Sequence, residues 1–256
     1  MKAATLSQMV TVPTLTASFD RAARSYPAHA RVQIALADWL AEWLPVRREG
    51  AALEIGAGTG LFTRRLLPWR GPLLATDLAP AMCEAGQTAL PQANWRTLAA
   101  EAPEGGPWNW IFSSSMLQWA AEPEQIFAAW RDQLAPDGRI LAGLFVEETL
   151  PELRELIGKP DPLLWRTVEE WRECLNRGGL RVVRDATERR VFRYPSTLSL
   201  LRDLHGTGTA PTRRVSPGWL RRLLREYELR HGSADGVCAT WTFYRFEADQ
   251  SGLVGS

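Results

Sequence analysis

The chain has 256 residues, a net charge of +1 and 45% hydrophobic residues, enough apolar material for a full core and too little net charge for a general nucleic-acid binder. Its three cysteines, Cys83, Cys174 and Cys238, are odd in number, widely spaced and outside metal-ligand spacing, so neither a disulfide framework nor a metal site is expected. No apolar run approaches the roughly 18 residues of a membrane span, and Met1-Lys2-Ala3-Ala4 lacks a leader pattern, so a cytoplasmic protein free of the membrane is expected.

Residues 1–15 read as a small, polar, proline-containing tail. Phe19, Ala22, Ala23 and Tyr26 recur at helical spacing as far as a break at Pro27. Val32, Leu36, Trp39, Leu40 and Trp43 then line one face of a longer helix that Pro45 ends. Helices here, ahead of the first strand, are placed to close over a pocket; plain packing is the alternative for Phe19 and Tyr26, and for Phe19 it is the preferred reading.

The stretch from Ala51 to Gly60 organises the rest of the chain. A short apolar run ends in Glu54, glycines stand at 56, 58 and 60, and Leu61, Phe62, Leu66 and Leu67 share one helical face. The pattern predicts a strand of a parallel sheet, a tight turn and a helix. Glycine permits positive φ and lets a ligand lie against the backbone. A dinucleotide fingerprint requires G-x-G-x-x-G, but here Leu61 holds the third position and the last glycine falls one residue early. E-x-G-x-G-x-G, with Glu54 leading Gly56, Ala57, Gly58 and Gly60, instead resembles motif I of the class I methyltransferases, which bind S-adenosylmethionine (AdoMet) and release S-adenosylhomocysteine. Asp77, ending the strand Leu73–Asp77, is placed to accept hydrogen bonds from a ribose diol or to cap the helix opened by Pro80.

Further strands are expected at Asn94–Leu98, Trp108–Ser113 and Arg139–Phe145, with a helix over 123–134 and a turn at Pro136-Asp137-Gly138. The alternation of strand and helix implies a doubly wound, mostly parallel sheet. Ligands in such sheets sit beyond the carboxyl ends of the strands, so Ser113, Ser114, Gln118 and Trp119 should face the pocket. Beyond 146 the rhythm changes. Helices are expected near 150–157, 167–177, 196–205 and 216–230, with strands at 181–193 and 238–246. Residues 1–150 hold 12 basic and 15 acidic side chains, residues 151–256 hold 18 and 14, and the only lysines are Lys2 and Lys159.

Several blocks together resemble the malonyl-acyl carrier protein O-methyltransferases of biotin synthesis. They are Phe19 to Tyr26, Leu53 to Gly60, Ser113 through Met116-Leu117-Gln118-Trp119, Thr149-Leu150-Pro151-Glu152-Leu153-Arg154, and Ser199 to Gly208. The resemblance implies a Rossmann-like α/β fold with a seven-stranded sheet, helices on both faces and a helical lid. It also implies a division into closing helices (1–45), an AdoMet-binding core (46–146) and a lid and substrate-recognition part (147–256). The implied reaction moves the AdoMet methyl to the free carboxylate of a malonyl thioester on acyl carrier protein or coenzyme A. A carboxylate with a pKa near 4 is already ionised at neutral pH, so positioning rather than a general base is expected, from Tyr26, Gln118, Trp119, Arg154 and His205. Arg154 is the candidate grip on the acceptor carboxylate, and a helix arginine pairing with Glu152 or Glu155 is the alternative. Tyr26, Gln33, Leu78, Met82, Ala99, Ala100 and Ser113 join Glu54, the glycine turn and Asp77 in the expected cofactor set. Arg213, Arg214, Arg221, Arg222 and Arg225 form a candidate docking face for an acidic carrier.

Two departures from the pattern stand out. Ala99 occupies the place of the acid that usually contacts the adenine amino group, leaving Glu101 as a possible replacement. Asn109 and Ser114 stand where Asp and Asn are more usual. A small-acid methyltransferase of the trans-aconitate type and a non-catalytic AdoMet-binding module are the competing readings.

Overall fold

The computed structural model describes residues 12–158, 165–208 and 216–250. Five strands run parallel: β1 (Ala52–Ile55), β2 (Leu73–Asp77), β3 (Asn94–Thr97), β4 (Trp108–Ser114) and β5 (Leu134–Phe145). β6 (Leu180–Tyr194) and β8 (Gly236–Gln250) complete a seven-strand path in the order β3-β2-β1-β4-β5-β8-β6, with β8 antiparallel to both neighbours. The seven strands expected are therefore present, and the two-residue β7 (Gly232–Ser233) folds back on β8 as an eighth. Every residue of β1 is buried, as a strand covered on both faces requires. The order reverses between β1 and β4, which puts the ligand crevice at their carboxyl ends.

The strand alternation sends Ile111 and Phe112 of β4 into different cores. Ile111 joins the core of α6 (Pro123–Asp132) and α8 (Val168–Arg177), which holds Phe127, Trp130 and Trp171. Phe112 joins that of α3 (Arg31–Ala41) and the α4 turn (Thr63–Leu66), with Leu40, Phe62 and Leu66. A third core lies under α7 (Pro151–Ile157), α9 (Thr197–Gly206) and α10 (Pro217–His231), built on Phe145, Trp241 and Phe243. α1 (Val12–Ala22), α2 (Tyr26–His29) and α5 (Pro80–Ala89) complete the helices. Ser216 caps α10 by accepting the Trp219 N–H at 3.2 Å, as the Ser-Pro pair predicts.

Three local expectations are corrected. The helix after the glycine turn is a single turn, because Pro68 follows and has no N–H to donate the next helical hydrogen bond. Pro27 starts α2 rather than ending a helix, since a first-turn proline forfeits no helical hydrogen bond. Pro136-Asp137-Gly138 lies within β5, where pairing jumps from Trp108–Leu134 to Trp110–Arg139 and the intervening residues bulge out. Gly138 is required there, because a Cβ would stand 2.6 Å from the Trp108 carbonyl oxygen.

Candidate active site

A cleft enclosing about 1040 Å³, open solvent at its mouth included, lies beyond the carboxyl ends of β1, β2 and β4. Its floor is the turn after β1. Gly56 and Gly58 have φ of +72° and +56°, a region where other residues are strained. A Cβ on Gly56 would strike the Met116 side chain at 2.4 Å, whereas nothing lies within 4 Å of one on Gly58. The space beside Gly58 is thus open to a ligand. Ala57 also lines the cleft, while Gly60 faces Leu90 and Trp95 and serves packing.

Glu54 heads this turn. It is fully buried, and neither carboxylate oxygen has a hydrogen-bond partner of ordinary geometry. Burial pushes its pKa up to about 8; Asp77 adds to the rise, and the Thr63 hydroxyl and N–H oppose it. Asp77 sits close by, accepting the Gly58 N–H and the Ala79 N–H, each at 2.8 Å. It braces the turn and holds Ala79, the residue that precedes α5, with lone pairs left for a diol. Burial holds its pKa above the usual carboxylate range against those two hydrogen bonds.

The roof comes from the N-terminal helices. Phe19 of α1, Tyr26 of α2 and Gln33 of α3 all line the cleft, so the Phe19 position does more than pack. Asp20 ties this roof down by accepting the Ala81 N–H of α5 at 3.0 Å. Burial, and then Asp77, raise the Tyr26 pKa, which keeps its hydroxyl protonated.

Leu78, Met82, Ala100 and Trp119 also line the cleft. Ala99 does not, but Glu101 two residues on does, on a segment held by Trp130, whose indole N–H donates to the Ala100 carbonyl at 2.8 Å. Ser113 turns away from the cleft and donates to the Ile55 carbonyl at 2.9 Å, because strand alternation gives the cleft its neighbour Ser114. Ser115, at φ +60°, lines the cleft as well. Gln118 is buried outside the lining and donates to the Ser115 carbonyl at 2.8 Å, so it braces the turn. Asn109 lies at the far end of β4, where it accepts the Ala51 N–H at 2.9 Å.

The structure brings neither Arg154 nor His205 to the cleft wall. Arg154 of α7 donates to the Glu147 carbonyl, while Glu152 holds Thr240 and Glu155 holds Arg230. His205 is exposed on α9. Arg221, Arg222 and Arg225 are exposed on α10; Arg213 and Arg214 lie outside the described residues.

A buried carboxylate with no partner, a second acid with free lone pairs and an open glycine flank suit a ligand carrying both a positive charge and a ribose. AdoMet is such a ligand. A methyltransferase-domain family model matches residues 53–140, the segment that holds the glycine turn and Asp77. The malonyl-acyl carrier protein O-methyltransferase of Laribacter hongkongensis is 31% identical over 75% of this chain and 72% of its own length. That of Geobacter sulfurreducens is 30% identical over 88% and 94%. The crystal structure of YcgJ from Bacillus subtilis shares the fold at a TM-score of 0.64 and 14% identity, covering 85% of this chain and 99% of that one. The glycine turn, its orphaned acid and these likenesses converge: the chain belongs to the malonyl-acyl carrier protein O-methyltransferase family of AdoMet-dependent enzymes.

Proposed function

We propose that this chain esterifies the free carboxylate of a malonyl thioester presented by acyl carrier protein. The observation that carries the reading is the buried, unpartnered Glu54 at the head of the glycine turn, in a chain whose relatives bear that activity in their names. When bound, AdoMet supplies an electrophilic methyl on a positively charged sulfur. Glu54 would hold the positive end of the cofactor and Asp77 its ribose diol. Leu78, Met82 and Ala100 would flank the base, and Glu101 would take over the adenine contact that Ala99 cannot make. Loss of one such hydrogen bond costs on the order of 1 kcal/mol, which weakens binding without abolishing it.

The acceptor arrives as a carboxylate, so the protein has no proton to remove. Its work is alignment and the exclusion of water, here assigned to Phe19, Tyr26 and Trp119 around the cleft. A protonated Tyr26 is a neutral donor suited to an anionic oxygen. For Arg154 to pair with the acceptor carboxylate, its guanidinium has to turn from the Glu147 carbonyl. The exposed Arg221, Arg222 and Arg225 supply a basic face for an acidic carrier.

Intact-mass spectrometry of malonyl-carrier protein incubated with AdoMet and this enzyme tests the reading, with malonyl-coenzyme A and trans-aconitate as competitors. One methyl gained by the carrier-bound malonyl group, faster than by either competitor, is expected. AdoMet binding without transfer to any of the three would overturn the assignment.

A further inference from the structure

We propose that Trp165 and Arg166 position the acceptor-side wall of the cleft by gripping the turn after β4. The inference rests on the methyl-transfer reading above and adds two residues that neither line the cleft nor stand in any motif of the sequence. By the sheet order, β2 and β3 carry the ribose and base side of the cleft, and the turn after β4 faces it across β1. That turn includes one 3-10 turn, Leu117–Trp119, which delivers Trp119 and Ala120 to the wall. Ser115 at the head of the turn donates to the Gly143 carbonyl of β5 at 2.8 Å, but the backbone bonds of the 3-10 segment are short-range, Trp119 to Met116 and Ala120 to Leu117. The far end of the turn, from Trp119 to Ala121, is held by groups from outside it.

Trp165 meets the Trp119 ring edge-on at 5.9 Å and 88°, on a ring that Phe19 of the roof also meets edge-on at 6.2 Å. Trp165 is itself buried and stacked on Phe145 at 5.9 Å, and Phe145 packs against Trp241 at 4.9 Å, so the wall is backed by the third core. Next to it, Arg166 donates to two consecutive carbonyls of the turn, Ala120 at 2.9 Å and Ala121 at 2.8 Å. A planar guanidinium can span such a pair, which an ammonium cannot do in the same geometry. The Arg166 carbonyl in turn accepts the Glu147 N–H at 3.0 Å, tying the pair to the end of β5. Trp165 and Arg166 are therefore positioning residues: they touch the wall and not the substrate.

The test compares Trp165→Ala, Trp165→Phe, Arg166→Ala and Arg166→Lys. Readouts are kcat and KM for malonyl-carrier protein, the AdoMet Kd by calorimetry, and hydrogen–deuterium exchange over 116–121. Both alanine variants are expected to lose roughly tenfold in kcat/KM for the acceptor, in line with the cost of a displaced positioning group. AdoMet Kd should stay within about twofold of wild type, because the cofactor side of the cleft is untouched. Exchange over 116–121 should quicken. Trp165→Phe should keep most activity and Arg166→Lys should resemble Arg166→Ala. Parallel loss of AdoMet affinity, or unchanged exchange and acceptor kinetics in the folded variants, would overturn the proposal. If Trp165→Ala fails to fold, the phenylalanine and lysine variants decide by the same measures. Should the wild-type enzyme not methylate the malonyl carrier, the acceptor reading falls alone, since exchange and AdoMet affinity still report on the grip.

Discussion

The two halves of the molecule reach the cleft in different ways. Residues up to Ile126 supply all of its lining among the described residues, through the N-terminal helices and the turns after β1, β2, β3 and β4. The part after 146, expected to recognise substrate, lines none of it. That part acts at one remove: Trp165 and Arg166 brace the β4 turn, while α9 supports the roof through Asp203, which pairs with His29 of α2 at 2.8 Å. The contrast extends to charge and sheet geometry. The first half is parallel and net acidic, whereas the second half is antiparallel and rich in arginine, and packs on an aromatic core that it shares with Trp39 and Phe145 of the first. If the roles proposed above hold, variants at Glu54 and Asp77 should act chiefly on AdoMet affinity and variants at Trp165, Arg166 and Arg154 chiefly on acceptor kinetics.

The largest effect is expected from Asp77→Ala. It removes the proposed diol acceptor and leaves the Gly58 and Ala79 N–H groups without their partner. A loss on the order of 2–3 kcal/mol, or roughly 30- to 160-fold in AdoMet Kd, should appear by calorimetry. The second half should keep its hydrogen-exchange protection. Melting of both halves together would break the proposed division.

Protonation of Glu54 gives the next test. Its pKa is near 8 in the ligand-free fold against 4.5 for the free side chain. The folded state therefore holds a proton that the unfolded chain releases. Stability of the ligand-free enzyme should fall as pH rises from about 4.5 to about 8 and level off above that. A cationic ligand favours the ionised form, so AdoMet binding near pH 7 should expel close to one proton. Calorimetry in buffers of different ionisation enthalpy measures this, and Glu54→Gln should abolish the release. An unchanged proton count in that variant would remove Glu54 from the cofactor site.

Smaller effects belong to the second half. Arg154→Ala should raise the acceptor KM several-fold, about 1 kcal/mol, with AdoMet affinity nearly constant; equal loss of both would make Arg154 structural. Smallest is the double variant Arg221→Glu and Arg222→Glu, expected to raise KM for the carrier-bound substrate about two- to fivefold at low salt while malonyl-coenzyme A is unaffected. Equal effects on the two substrates would place carrier docking elsewhere.

The sequence by itself determined the parts governed by local rules. The apolar run ending in Glu54, the alternating glycines and Asp77 at the next strand end marked the floor, because a close backbone approach demands glycine and strand ends in such sheets face ligand. Proline and glycine punctuation marked most helix and strand limits. What the tertiary structure decided depends on which groups meet across the fold. A one-residue change of face put Ser114 rather than Ser113 into the cleft, and a bulge absorbed the expected turn at Gly138. Phe19 became a wall only because α1 folds over α5. Trp165 and Arg166 carry no signal in the chain at all. Their partners in the turn, Trp119 for Trp165 and Ala120 and Ala121 for Arg166, lie about 45 residues away, and burial against a distant aromatic core has no local signature.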